Sequence, residues 1–132
     1  MASISREVVI ESSADDVWKV IGEFATGPSA MAPGFVLETQ ADGDHRTVTF
    51  ADGTVVVERL VGIDPGARRI AYSIVGGSVK PEHDNASMQA FPDGERCRLV
   101  WTRDVLPDRL AAPIADSMAR GLEVVERTLS SR

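Results

Sequence analysis

The sequence is poor in the residues that carry metal and redox chemistry. It has one cysteine, Cys97, and two histidines, His45 and His83, in 132 residues. A lone cysteine forms no internal disulfide, which is typical of a protein in the reducing cytoplasm. Because the three residues lie far apart, they give no metal-ligand spacing, so we predict no metal site and no cofactor. A phosphate-binding glycine loop, a G-x-S-x-G motif and a catalytic Cys/His pair are also absent.

Positive charge and long apolar runs are scarce too. Lysine and arginine number 14 against 20 aspartates and glutamates, which gives a formal charge of -6. Nucleic acids and anionic membranes bind basic patches, so we expect neither as a partner. No apolar run approaches the roughly 18 residues of a membrane-spanning helix, and residues 1–11 do not have the pattern of a signal peptide. The length predicts one domain, residues 1–132, with its own core.

A long amphipathic pattern occupies residues 107–130. Pro113 is tolerated in the first turn of a helix but not in its interior. We therefore predict that regular helix begins near Ala112 after a separate lead-in turn at residues 107–111, or that the helix kinks there. The apolar positions recur at steps of three and four, which places them on one helix face: Leu110, Ile114, Met118, Leu122, Val125 and Leu129.

Most of the remaining sequence alternates between apolar and polar residues, as strands do. Short breaks rich in Gly, Pro and Asp separate the last six strands, so successive strands form antiparallel hairpins. The seven predicted strands are residues 4–11, 35–40, 46–50, 54–63, 68–75, 82–91 and 96–105.

A helix is predicted between the first two strands. Ser13 has the position of its N-cap, and Asp16 follows three residues later as in a capping box. Gly22 and the Gly-Pro pair at residues 27–28 end this helix, and residues 29–32 form one further short turn. The element order predicts an α+β domain with its helices packed on one face of the sheet.

Several segments resemble one known superfamily. The start, I-E-S-S-A-D-D-V-W-K-V-I at residues 10–21, resembles that of the START-like (SRPBCC) superfamily, which includes the Bet v 1 allergens. Residues 58–60, 69–74 and 99–101 are similar to bacterial polyketide cyclase/dehydrase-like members. One difference is Met-Ala-Pro at residues 31–33, where family members often carry Trp-x-Pro. This difference changes the lining of the pocket entrance.

The resemblance covers nearly the whole chain and implies a helix-grip fold. In this fold a curved seven-stranded antiparallel sheet wraps round the long C-terminal helix, in the order β-α-α-β6-α. A cavity between the sheet and the helix is implied as well. The resemblance thus implies that the chain binds a small, mostly apolar molecule.

The last predicted hairpin brings an acid and a base together. With a four-residue loop at residues 92–95, Met88 lies opposite Leu99 and Asp84 opposite Arg103, all on the apolar face. Asp84 and Arg103 then form either a half-solvated ion pair at the sheet margin, worth about 0.2–1 kcal/mol, or a polar group that orients a ligand carbonyl or hydroxyl. A loop miscounted by one residue would turn the whole face outward.

Glu58 is a second candidate, because either face of its strand can be the buried one. A three-residue turn with Gly53 in a left-handed conformation places Glu58 inside with Val56. The alternative is an exposed Glu58 beside Arg59. A carboxylate that faces a cavity has a raised pKa and can act as a general acid or base. The catalytic candidates are therefore Glu58, Asp84 and Arg103.

The predicted ligand contacts combine these charged residues with apolar and aromatic ones. Each apolar or aromatic residue has core filling as its alternative role, and a buried Tyr hydroxyl usually finds a hydrogen-bond partner. Residues 76–78, Gly-Gly-Ser, form either an ordinary turn or a mobile flap at the cavity mouth. The predicted ligand-binding residues are Met31, Phe35, Glu58, Tyr72, Asp84, Met88, Trp101, Arg103, Ile114 and Met118.

Three functions fit this pattern. The favoured one is a cytoplasmic, polyketide cyclase/dehydrase-like protein that binds a small hydrophobic molecule. The same cavity would allow cyclase or dehydratase catalysis. The alternative is a protein-interaction module, as in co-chaperone relatives of the fold, with a filled cavity. Both a monomer and a homodimer are compatible with the sequence.

Overall fold

The computed structural model describes residues 1–130, and within them the element order follows the prediction. Strand β1 is followed by two helices, six strands and a long helix that a short 3-10 turn precedes. The bounds are β1 Ala2–Ile10, α1 Ala14–Ile21, α2 Gly27–Met31, β2 Val36–Asp42, β3 His45–Phe50, β4 Val55–Asp64, β5 Arg69–Gly77, β6 His83–Asp93, β7 Arg96–Leu106, the 3-10 turn Asp108–Leu110 and α3 Ala111–Leu129.

The seven strands form one antiparallel sheet in the order β1-β7-β6-β5-β4-β3-β2. The sheet is curved, and α3 packs against its concave face together with α1 and α2. The C-terminal end of α3 is tied to the end of β1, where the Glu11 N–H donates to the Ser130 hydroxyl at 3.0 Å. The predicted helix-grip fold is confirmed. No helix within residues 1–130 is long and apolar enough to span a membrane.

Local sequence signals explain where the helices begin. The Ser13 hydroxyl accepts from the Asp16 N–H at 3.1 Å and caps α1, as predicted. Pro113 lies in the first turn of α3, directly after the lead-in turn, where its missing N–H has no helical partner to lose. Helix α2 begins at Gly27, two residues earlier than the predicted turn, because Pro28 occupies its first turn.

The register of the last hairpin differs from the prediction. Asp93 pairs with Arg96, so the loop contains two residues rather than four. The first of them, Gly94, has φ +61°, and glycine with positive φ at this position is the requirement of a two-residue type II′ turn. The sequence predicts Pro92 in the loop, whereas in the structure Pro92 continues β6 opposite Cys97. Because the shift is by an even number, every side chain keeps its predicted face.

Residues 76–78, for which a turn and a mobile flap were the alternatives, are instead held against β4. Strand β5 continues through Gly77, and the Ser78 N–H donates to the Val55 carbonyl at 2.6 Å. Gly77 has φ +99°, and a Cβ atom there would lie 2.2 Å from the Val55 carbonyl oxygen. Only glycine fits this close approach of the two strands.

Candidate ligand-binding site

A main cavity of about 550 Å³ lies between the concave face of the sheet and the first half of α3. This volume falls within the range of roughly 300–1,000 Å³ that is typical of small-molecule pockets. Charged residues of the wall are the buried Glu58 and Arg103 and the exposed Asp52, Asp116 and Arg120. The apolar wall consists of Phe35, Phe50, Val56, Ile74, Val79, Trp101, Leu110, Ile114 and Met118, with Ala51 and Pro113 at the margin.

An inner recess of about 50 Å³ adjoins the main cavity. Phe35, Phe50, Glu58 and Trp101 line both spaces, so they form the boundary between them. The rings of Phe35 and Phe50 meet edge to face with their centroids 5.6 Å apart. Gly121 of α3 leaves room for the Phe35 ring, since a Cβ atom there would lie 3.2 Å from it.

Glu58 points inward, which decides between the two alternatives for β4. Its exposed fraction is 7%, and it lies directly opposite Arg46 in the pairing of β3 with β4. Arg46 Nε donates to Glu58 Oε1 at 2.8 Å, and Arg46 Nη1 donates to the Phe24 carbonyl at 2.9 Å. The guanidinium also lies over the rings of Phe24 and Tyr72, 4.4 and 4.8 Å from their centroids. Glu58 is therefore one member of a buried, hydrogen-bonded ion pair.

The second ion pair joins Asp84 and Arg103, which are 5% and 6% exposed. Arg103 Nε lies 2.8 Å from Asp84 Oδ1, a close ion pair in which the two atoms do not have the geometry of a standard hydrogen bond. Asp84 Oδ2 accepts from the Ile74 N–H at 2.8 Å. Burial raises the pKa of the Asp84 carboxyl, and Arg103 and the Ile74 N–H oppose that rise.

Of the two roles predicted for this pair, the half-solvated ion pair at the sheet margin is wrong, because both side chains are buried. In the observed register Asp84 lies opposite Val105, and Arg103 lies opposite Ala86, so the acid and the base are diagonal neighbours. The strand ends are covered because Val105 packs with Met118 in a cluster that also contains Leu110 and Ile114. The lead-in turn and the start of α3 therefore cover this end of β7.

Tyr72 lies between the two arginines. Its hydroxyl accepts from Trp101 Nε1 at 2.9 Å, and its ring centroid is 5.8 Å from the guanidinium carbon of Arg103. Burial raises the pKa of Tyr72 to about 12, Glu58 adds to the rise, and Arg103 and Arg46 oppose it. Tyr72 therefore keeps its proton at neutral pH.

The structure brings nine of the ten predicted contact residues to the two spaces. Asp84 is the exception, because it lines neither space and lies behind Arg103. Of the nine, those in the recess are Met31, Phe35, Glu58, Tyr72, Met88 and Trp101. Those in the main cavity are Phe35, Glu58, Trp101, Arg103, Ile114 and Met118.

The prediction missed Arg46, Phe50, Val79 and Leu110 as wall residues. Arg46 carried a usable signal, because it alternates with Val48 and Phe50 and therefore shares their inward face. Within the described residues, no group of three or more His, Cys, Asp or Glu side chains is arranged to hold a metal ion.

The sequence matches one family model over residues 1–130. That family is described as polyketide cyclase / dehydrase and lipid transport. A comparison with curated protein sequences finds no significant match.

Solved structures with the same fold include bacterial and plant proteins. An uncharacterized protein from Bacillus thuringiensis has a TM-score of 0.85 and 19% identity, covering 97% of this chain and 98% of that one. Ginseng major latex-like protein 151 from Panax ginseng has a TM-score of 0.77 and 17% identity, covering 96% and 93%. Norcoclaurine synthase from Thalictrum flavum, in complex with dopamine and hydroxybenzaldehyde, has a TM-score of 0.69 and 18% identity, covering 96% and 84%. The TM-scores establish a common fold, and at these low identities they establish the fold alone.

Proposed function

Since the chain belongs to the polyketide cyclase / dehydrase and lipid transport family, we propose that it binds a small, mostly apolar molecule in the main cavity. The observation that carries the proposal is an apolar space of about 550 Å³ between the sheet and α3. Burying apolar ligand surface against such a wall is favourable by about 25 cal/mol per Å². A few polar groups in the wall are enough to orient the ligand.

The structural relatives support the size class of the ligand. The norcoclaurine synthase structure contains dopamine and hydroxybenzaldehyde, which are small aromatic molecules. We extend to this chain only the expectation of a ligand of similar size. The proposal includes a cytoplasmic location, which the free and buried Cys97 supports.

The other functions receive less support from the geometry. A protein-interaction module with a filled cavity is disfavoured, because the space between the sheet and α3 is open. Catalysis is not part of the proposal, because Asp84 lines neither space and Glu58 is held by Arg46.

The test is a fluorescence titration with N-phenyl-1-naphthylamine, a neutral probe that brightens in apolar surroundings. We expect saturable one-to-one binding to the wild type. Replacing Ile114, a half-buried residue of the cavity wall, with Trp places a ring in empty space. Ile114→Trp should weaken probe binding at least about tenfold, which corresponds to about 1.4 kcal/mol. Because Ile114 also packs against the cluster of Val105 and Met118, urea unfolding is measured on the same variant, and a loss of about 1–3 kcal/mol from overpacking still leaves a folded protein for the titration.

The matched control is Val61→Trp, a residue of β4 that is 54% exposed and outside the cavity wall. It adds the same ring to the surface and should bind the probe as the wild type does. Absence of saturable binding to the wild type, or equal binding by Ile114→Trp, would contradict the proposal.

A further inference from the structure

The two buried arginines of the concave face differ in how their nitrogens are satisfied. Arg46 donates to a carboxylate and to a backbone carbonyl, and aromatic rings lie against its guanidinium. Arg103 has the same degree of burial but no formed hydrogen bond from Nε or Nη2 to any described residue. Buried donors without a partner are rare in native proteins, and a charged one is especially costly. Arg103 thus has unused hydrogen-bonding capacity, whereas Arg46 is engaged on several sides.

Arg103 and Asp84 differ in their relation to the cavity. Arg103 lines the main cavity, whereas Asp84 lies behind it and lines neither space. Asp84 is fixed by the Ile74 N–H through one oxygen and holds Arg103 Nε at 2.8 Å with the other. Asp84 is therefore a positioning residue for a guanidinium that faces an apolar space.

We propose that Arg103 is the polar anchor of the main cavity and that its ligand carries a neutral acceptor oxygen, such as a ketone or ester carbonyl. This inference rests on the proposed ligand binding. A carbonyl oxygen accepts from the part of the Arg103 guanidinium that reaches the cavity wall, and the apolar remainder of the ligand packs against the rest of the wall.

The charges around the cavity favour a neutral acceptor over a carboxylate. The charge of Arg103 is already balanced by Asp84, and that of Arg46 by Glu58. At the margin Arg120 is paired with Asp116 at 3.0 Å, and Asp52 adds a further negative charge. A ligand carboxylate would therefore enter a site without excess positive charge, and its desolvation would be uncompensated.

Three probes of nearly the same planar shape test the inference. They are 2-acetylnaphthalene, 2-isopropenylnaphthalene and 2-naphthoate, which place C=O, C=CH2 and a carboxylate on the same ring. Their affinities are measured by displacement of N-phenyl-1-naphthylamine. We expect the wild type to bind the ketone about tenfold more tightly than the alkene, as one charge-assisted hydrogen bond implies, and more tightly than the carboxylate.

The variants isolate the role of the guanidinium. Removing Arg103 alone would leave Asp84 buried without a counter-charge, so the main variant is the double change Arg103→Met with Asp84→Asn. Its preference for the ketone over the alkene should disappear. The single variant Arg103→Lys keeps the charge but lacks the planar fork, and it should retain only part of the preference. Arg98→Met, an exposed arginine on the outer face of the same strand, should keep the whole preference.

The outcomes separate this inference from the proposed function. Equal binding of ketone and alkene by the wild type, or an unchanged preference in both Arg103 variants, overturns the inference while probe binding still stands. Tighter binding of 2-naphthoate overturns the choice of a neutral ligand. Failure of the wild type to bind N-phenyl-1-naphthylamine overturns the proposed function and this inference with it.

Discussion

Tyr72 is the only tyrosine of the chain, so its ionisation reports directly on the interior of the site. Burial is the main cause that raises its pKa from 10.0 to about 12. Between these values the unfolded state has lost the phenolic proton and the folded state has kept it. Stability must therefore fall as the pH rises from 10 to 12. At about 1.4 kcal/mol for each pH unit, the loss from this group reaches roughly 3 kcal/mol above pH 12.

The assay is an alkaline titration followed by the ultraviolet difference absorbance of tyrosinate, with far-ultraviolet circular dichroism recorded on the same samples. We expect no tyrosinate near pH 10 while the protein is folded. Urea unfolding at several pH values between 10 and 12 measures the slope of stability, and Tyr72→Phe should remove about 1.4 kcal/mol per pH unit from that slope. Formation of tyrosinate near pH 10 with an intact dichroism spectrum would refute the reasoning, because it would mean that water reaches the hydroxyl.

Two further predictions concern stability. Glu58→Leu should lower the free energy of unfolding by about 3–5 kcal/mol, because it leaves Arg46 buried without a counter-charge. The double variant Arg46→Met with Glu58→Leu should regain more than half of that loss in urea unfolding; no recovery would show that the charge of Arg46 is not the cause. Gly77→Ala should destabilise by more than about 1 kcal/mol, since its Cβ would meet the Val55 carbonyl. Gly43→Ala, also at positive φ but in open space, is the control, and equal losses at both positions would exclude the close approach as the reason.

The fold was predictable because its signals are local. Alternation identified the strands, Ser13 and Pro113 marked helix starts, and glycine-rich breaks indicated hairpins. The loop after β6 was counted two residues too long, because Pro92 has the composition of a turn although it pairs with Cys97 within the strand ladder. Local composition does not show where cross-strand pairing ends, and in this hairpin the last pair, Asp93 with Arg96, sets the loop length.

The site was predictable only in part, because it depends on contacts between residues distant in sequence. The sequence allows Glu58 to point either inward or outward. The choice depends on its partner Arg46, which lies on the neighbouring strand. The burial of Asp84 goes with contacts to Arg103 and to the Ile74 N–H, which lie on neighbouring strands. Alternation along one strand shows which face of the sheet a side chain is on but not how deeply it is buried. For this reason one of the two predicted roles of Asp84 placed it at a solvated margin.

The two ion pairs of the concave face explain, on the proposals above, why one cavity can be both apolar and selective. The pair of Arg46 and Glu58 is complete in itself and holds the wall of the recess in place. The pair of Arg103 and Asp84 is neutral in charge but incomplete in hydrogen bonding, and of its two members only Arg103 lines the main cavity. A ligand with several polar groups would lose their hydration without finding partners. A ligand with a single acceptor at one end needs only the Arg103 guanidinium as its polar partner, so the wall favours molecules that are apolar along most of their length.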